Sequence, residues 1–203
     1  ITAWASLAAA HTSAREAAEA FAGLSPRGTA AGSASTPAGA SLGSGDTVID
    51  RLLAAAELII AEAGVRVVHV SMNGFDTHAG QLDRHELLLG ELASGIAAFQ
   101  HRLAEAGQSH RVLLVTTSEF GRRVTENGSS GTDHGKAGVQ FVAGDAVSTA
   151  GTGVVFGTLD PGDLVEGDLR PVVDPRSLYA TALDWVGADA AGAIADGVLG
   201  AAY

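Results

Sequence analysis

Apolar positions along the chain recur first at helical spacing, then as short unbroken runs, then at helical spacing again. Val48, Leu52, Leu53, Ala56, Ile59 and Ile60 form one stripe, which predicts a helix from Asp46, as its N-cap, to about Ala63. Gly64 is a natural stop. Val65 to Val70 is a β-branched run of strand length. Leu88, Leu92, Ile96, Phe99 and Leu103 then predict a second helix over roughly 77–106, ended by Gly107. Arg111 to Thr117 reads as a second strand, apolar enough to be buried on both faces. A third strand is expected over Gly138 to Ala143. A closing helix, roughly Arg176 to Val186, carries Leu178, Tyr179, Leu183 and Trp185. Helix, strand, helix, strand is the pattern of a parallel sheet with crossover helices, so an α/β fold is expected.

The first 45 residues divide in two. Residues 1–23 are Ala-rich with Trp4, Leu7 and Phe21 and read as a helix. Residues 24–45 are Gly, Ser, Ala, Pro and Thr, a composition expected to stay a flexible loop. Residues 46–203 are then the part of an α/β domain that carries its polar site. The chain opens on Ile1 with a helix already under way, so an N-terminal portion is expected to precede it.

Three polar segments hold the candidate chemistry. Asn73 to His78, with Gln81 and His85, follows the first strand. Thr117 to Arg123 follows the second. Asn127-Gly128 and Gly131 to Gly135 precede the third. Ligands of open α/β sheets gather at the carboxyl ends of the strands, so these segments are expected to share one edge. If the second helix starts near Thr77, His78, Gln81 and His85 stand at i, i+3 and i+7, on one face. Asp76, His78, His85, Glu119, Asp133 and His134 together offer the carboxylate and imidazole donors that a divalent cation of zinc, manganese or calcium type could use. Arg122 could pair with an anionic substrate. Each residue also has an ordinary reading. Asp76 could be a helix cap, Glu119 and Arg122 a local ion pair, and Asp133-His134 a turn. His11, His69, His101 and His110 are expected to have no catalytic role.

Composition narrows the classes. The formal net charge is −11, which repels nucleic-acid backbones. No uncharged apolar stretch is long enough for a membrane helix, and no basic run suits a membrane surface. With no cysteine, thiolate metal sites and disulfides are excluded. Two motif matches lack their context. Gly39 to Gly43 fits G-x-S-x-G but lies in the low-complexity loop, and Gly151-Thr152-Gly153 neither follows a clear strand nor opens a helix.

Taken in order, Gly74-Phe75-Asp76-Thr77-His78 with Gln81 and His85, Ser118 to Arg122, Gly131 to Gly135, and Asp174 to Tyr179 with Trp185 resemble the family known as domain of unknown function 1501. The resemblance covers roughly residues 46–187. It implies placement in the alkaline phosphatase and sulfatase superfamily. That in turn implies a three-layer α/β/α sandwich with a mostly parallel sheet, and a metal-dependent hydrolase acting on phosphate or sulfate esters. By that analogy Asp76 with His78 or His85 would serve one metal, Glu119 would stand for an Asp serving a second, and His134 would be the late histidine ligand. Glu119 and Arg122 are then the expected catalytic residues, and an anionic small-molecule ester the expected partner. The sequence departs from the superfamily in placing Phe120 where a His usually follows the acidic ligand. An alternative is a non-catalytic exported protein that keeps the fold and binds a ligand or partner. Family members often carry export signals, which implies a periplasmic or secreted parent.

Overall fold

The computed structural model of the chain describes residues 47–147 and 162–189. The expected helix over 1–23, the loop over 24–45, the Asp46 cap and both dismissed glycine motifs lie outside the described residues.

Helix α1 (Val48–Ile60) has Thr47, the residue after the expected cap Asp46, as its N-cap. Thr47 closes a capping box with Asp50: the Asp50 amide donates to Thr47 Oγ1 at 3.2 Å, and the Thr47 amide donates to Asp50 Oδ2 at 2.9 Å. Helix α2 (Gln81–Glu105) packs along α1. Val48, Leu52, Ala55 and Ala56 of α1 meet Phe99 and Leu103 of α2 in the buried core. Gly95 lets the two helices approach closely, because a Cβ there would stand 3.0 Å from Leu52 Cδ1. An Arg102–Glu57 ion pair (Nε to Oε1 2.6 Å, NH2 to Oε2 3.2 Å) bridges the rim, and Glu91 Oε1 accepts the Val48 amide at 3.1 Å.

The strands are short. They are β1 (Leu114–Val115), β2 (Gly121–Glu126), β3 (Thr132–Gly135), β4 (Val142–Ala143), β5 (Leu164–Val165) and β6 (Asp168–Leu169). They form three two-stranded antiparallel ladders among the described residues: β1 with β4, β2 with β3, and β5 with β6. Helix α3 (Pro175–Trp185) closes the order, with Asp174 as N-cap and proline in its first turn.

This corrects the expected architecture. The described residues form a small α/β fold with three α-helices and short antiparallel pairs, not a three-layer α/β/α sandwich around a mostly parallel sheet. The alkaline phosphatase-like, sulfatase-like and hydrolase descriptions built on that sandwich fall with it. Local connections explain the difference. The β2–β3 turn is too short for a crossover, and a short turn joins strands only as antiparallel neighbours. Between β5 and β6, Glu166 and Gly167 both have positive φ (55° and 77°), the condition for a tight type I′ hairpin. Val65 to Val70 joins no ladder among the described residues. Val70 and Met72 rest against the helix pair, but Val67 is 59% exposed. The apolar run satisfies packing without specifying a partner strand.

The second correction bears on the site. Helix α2 starts at Gln81, not near Thr77. Gly80, at φ +54°, sits in the left-handed region and breaks the helical path. His78 therefore precedes the helix and does not share a helical face with Gln81 and His85.

Candidate metal site

The site is built where the loop before α2 meets the β2–β3 hairpin. Several backbone bonds join them. The Gly80 amide donates to Ser129 O at 3.1 Å, and the Gln81 amide to Ser130 O at 2.8 Å. The hairpin turn thus supplies acceptors for orphan N–H groups at the α2 N-terminus, where no side chain does so. The Thr132 amide donates to Thr77 O at 3.4 Å, and Thr132 Oγ1 donates to Gln81 Oε1 at 2.7 Å. Gly131 is buried against this loop. A Cβ there would lie 2.2 Å from the carbonyl carbon of His78, so only glycine allows the approach.

Cross-strand geometry then gathers the side chains. Arg122 of β2 lies directly opposite His134 of β3, and facing residues project to the same side of a ladder. Both reach Asp76. His134 Nε2 stands 2.8 Å from Asp76 Oδ1, and Arg122 NH2 donates to the same oxygen at 3.1 Å. His78 Nε2 is 3.0 Å from that oxygen as well. Phe120 stacks on the His134 ring at 4.1 Å and 7°, with the Arg122 guanidinium 5.0 Å from its centroid. Phe120, the departure noted in the sequence, is the wall that holds His134.

One carboxylate oxygen and two imidazole nitrogens, from Asp76, His78 and His134, lie within 4.8 Å of one another, and all three residues are exposed. Donors about 2.0–2.1 Å from a tetrahedral ion stand roughly 3.3 Å apart. The two imidazole contacts to Asp76, at 3.0 and 2.8 Å, would need to open by only a few tenths of an ångström. The three residues could hold a divalent cation once the proton that His134 Nε2 shares with Asp76 has left. The hydrogen bond from His134 holds the Asp76 carboxyl below its ordinary value. Partial desolvation opposes this, while the charges of His78, His134 and Arg122 act with it. Asp76 is thus kept in the ionised form a cation needs.

Of the other expected site residues, Asp133 lies beside the group. Its Oδ1 is 3.4 Å from His78 Nδ1 and accepts from Asn127 Nδ2 at 3.2 Å. Those two bonds, Asn127 first, hold the Asp133 carboxyl low. His85 turns away: its Nε2 is 3.0 Å from the hydroxyl of buried Thr77, and its ring meets Phe75 edge-on at 5.8 Å. Glu119 is exposed and lines a cleft of about 1560 Å³ that also borders Asp76 and Arg122. It is not among the three converging donors. Arg122 spends NH1 on Thr132 O, and NH2 on Phe75 O at 2.7 Å and on Asp76.

Sequence reasoning gave no role to Asn127 or Thr77. Asn127 Oδ1 accepts the Ser129 amide at 2.9 Å and the Gly131 amide at 3.1 Å, and its Nδ2 donates to His78 O at 3.1 Å. An asparagine ahead of a glycine-rich turn was the available signal.

The family model for the protein of unknown function DUF1501 matches residues 6–197, and the chain belongs to that family. No curated protein and no solved structure matches the chain. Nothing in these comparisons links the family to the alkaline phosphatase and sulfatase superfamily. Among the described residues, no helix is long and apolar enough to cross a membrane.

Proposed function

We propose that Asp76, His78 and His134 bind a divalent cation, and that the protein uses it to hold an anionic oxygen ligand of the phosphate- or sulfate-ester class. The convergence of the three donor atoms from two segments carries this reading. Two imidazoles among three donors favour zinc or manganese over calcium, which prefers an all-oxygen set. Three protein donors at an exposed site leave coordination positions for solvent or ligand. A bound ion would supply positive charge to polarise a phosphoryl or sulfuryl oxygen. Arg122 lies within the same cluster and steadies Asp76. Glu119, at the lip of the cleft, is the member of the expected catalytic pair that faces solvent. An exported location belongs to the reading on the family resemblance alone.

In this reading the ligand is bound and not turned over. The observation that favours it is the commitment of both terminal nitrogens of Arg122 to Thr132 O, Phe75 O and Asp76. That leaves Arg122 acting as a strut and not as an anion clamp.

Calorimetric titration of the full chain with Zn²⁺ and with Mn²⁺ tests the centre. One ion per chain is expected, with binding lost in Asp76→Ala. Absence of binding in the parent chain would sink the reading. Titration of inorganic phosphate or sulfate into the zinc-loaded chain then tests the anion, which is expected to bind only when the metal is present.

A further inference from the structure

We infer that Asp133 is a positioning residue, which holds the Nδ1 side of His78 and so turns the Nε2 lone pair toward the point shared with Asp76 and His134. The inference rests on the metal reading above and assigns Asp133 a place beside the ion, not on it.

The two nitrogens of His78 face two different carboxylates. Nε2 lies 3.0 Å from Asp76 Oδ1, on the side of the converging donors, and Nδ1 lies 3.4 Å from Asp133 Oδ1, on the far side. An ionised carboxylate can only accept, so without an ion either ring nitrogen could donate to the carboxylate it faces; once a cation stood between Nε2 and Asp76, the one proton of the neutral ring would sit at Nδ1, toward Asp133. A metal-binding nitrogen must carry a bare lone pair, which the ring then offers at Nε2. A carboxylate on the second nitrogen of a metal-bound histidine fixes its tautomer and orientation and raises its basicity.

Asp133 is itself held in place. Asn127 Oδ1 takes two backbone amides, from Ser129 and Gly131, and this settles which end of the side-chain amide is oxygen. Its Nδ2 must then be the donor that reaches both His78 O and Asp133 Oδ1. One asparagine therefore grips the backbone of His78 and the carboxylate that steers its ring. Asp133 is absent from the donor group formed by Asp76, His78 and His134, as a steering residue should be.

The test uses the full chain with ¹⁵N-labelled histidine, loaded with Zn²⁺ and read by long-range proton–nitrogen correlation. His78 is expected to show a protonated Nδ1 and a metal-bound Nε2. Zinc affinity should fall about 10–100-fold in Asp133→Ala, the usual cost of removing such a partner. Asp133→Asn, which keeps an acceptor oxygen, should restore much of it. The Co²⁺ absorption bands of Asp133→Asn should match those of the parent in position and intensity. Coordination of His78 through Nδ1, unchanged affinity in Asp133→Ala, or cobalt bands altered in Asp133→Asn would each overturn the inference while leaving the metal reading intact. A parent chain that takes up no zinc removes the metal reading, and this inference with it. Circular dichroism checks folding. If Asp133→Ala does not fold, the parent spectrum and Asp133→Asn decide the matter.

Discussion

The α1–α2 pair and the junction between the α2 loop and the β2–β3 hairpin are held together by different physics. The helix pair is apolar: Leu103 and Ala56 are fully buried, and their contacts are non-directional. The junction buries little. Asp76, His78 and His134 are about half exposed or more, and hydrogen bonds of defined direction fix their positions. The first region is stable because of what it excludes from water. The second is specific because directed hydrogen bonds, two of them forked from Arg122 and two from Asn127, fix its side chains. Stability and site geometry should therefore respond to different substitutions.

The largest expected effect is on the helix pair. Leu103→Ala should cost about 2–5 kcal/mol of unfolding free energy in denaturant titration, as for other fully buried leucines. Zinc affinity of the remaining folded fraction should hardly change. Asp76→Ala is the mirror case. Zinc affinity should drop by more than about 100-fold, beyond the usual loss for an outer hydrogen-bond partner, with little change in the denaturation midpoint. If Asp76→Ala instead unfolds the chain, the division between the regions fails.

Gly131→Ala joins the two. Its methyl group would press into the His78 backbone, so a stability loss of about 1–3 kcal/mol is expected together with weaker zinc binding. Loss of one without the other would show that the hairpin does not set the position of His78.

The smallest effect lies outside both regions. The Asp174 carboxyl is lowered from 3.8 to about 2, first by the side-chain hydrogen bond to Arg176 and then by the Arg176 amide. A depressed carboxyl stabilises the fold fully above its unfolded pKa and loses that contribution as pH falls through its folded one. The α3 cap should therefore hold at pH 5 and be lost between about 4 and 2, with a slight drop in helical circular dichroism. Asp174→Ala should remove that step and leave zinc binding untouched.

The helices were legible because helical periodicity is a local property: Val48, Leu52 and Ala56, or Leu88, Phe99 and Leu103, mark their own buried face. The pairing of strands was not. Val65 to Val70 looks like a strand in isolation, yet ladder partners lie far along the chain and hydrophobicity does not name them. The residue types of the site were visible, since Asp76, His78 and His134 stand out in glycine-rich segments. Which of six donors would converge was not. That depended on Gly80 ending the helix early and on a cross-strand pairing of Arg122 with His134, and neither follows from periodicity. The parallel sheet was read from the alternation of helix and strand and the three-layer sandwich from family analogy, and the antiparallel ladders of the described residues support neither.

The donors of the cluster are contributed from far apart: 58 positions separate Asp76 from His134. An extended chain offers no such constellation, so a cation that prefers the assembled centre draws the population toward the folded form. At a hundredfold excess over its dissociation constant, that preference amounts to about 2.7 kcal/mol. The ion would then act as a clasp between two segments that meet mainly through hydrogen bonds, and metal supply would set the folding equilibrium as well as the occupancy of the site.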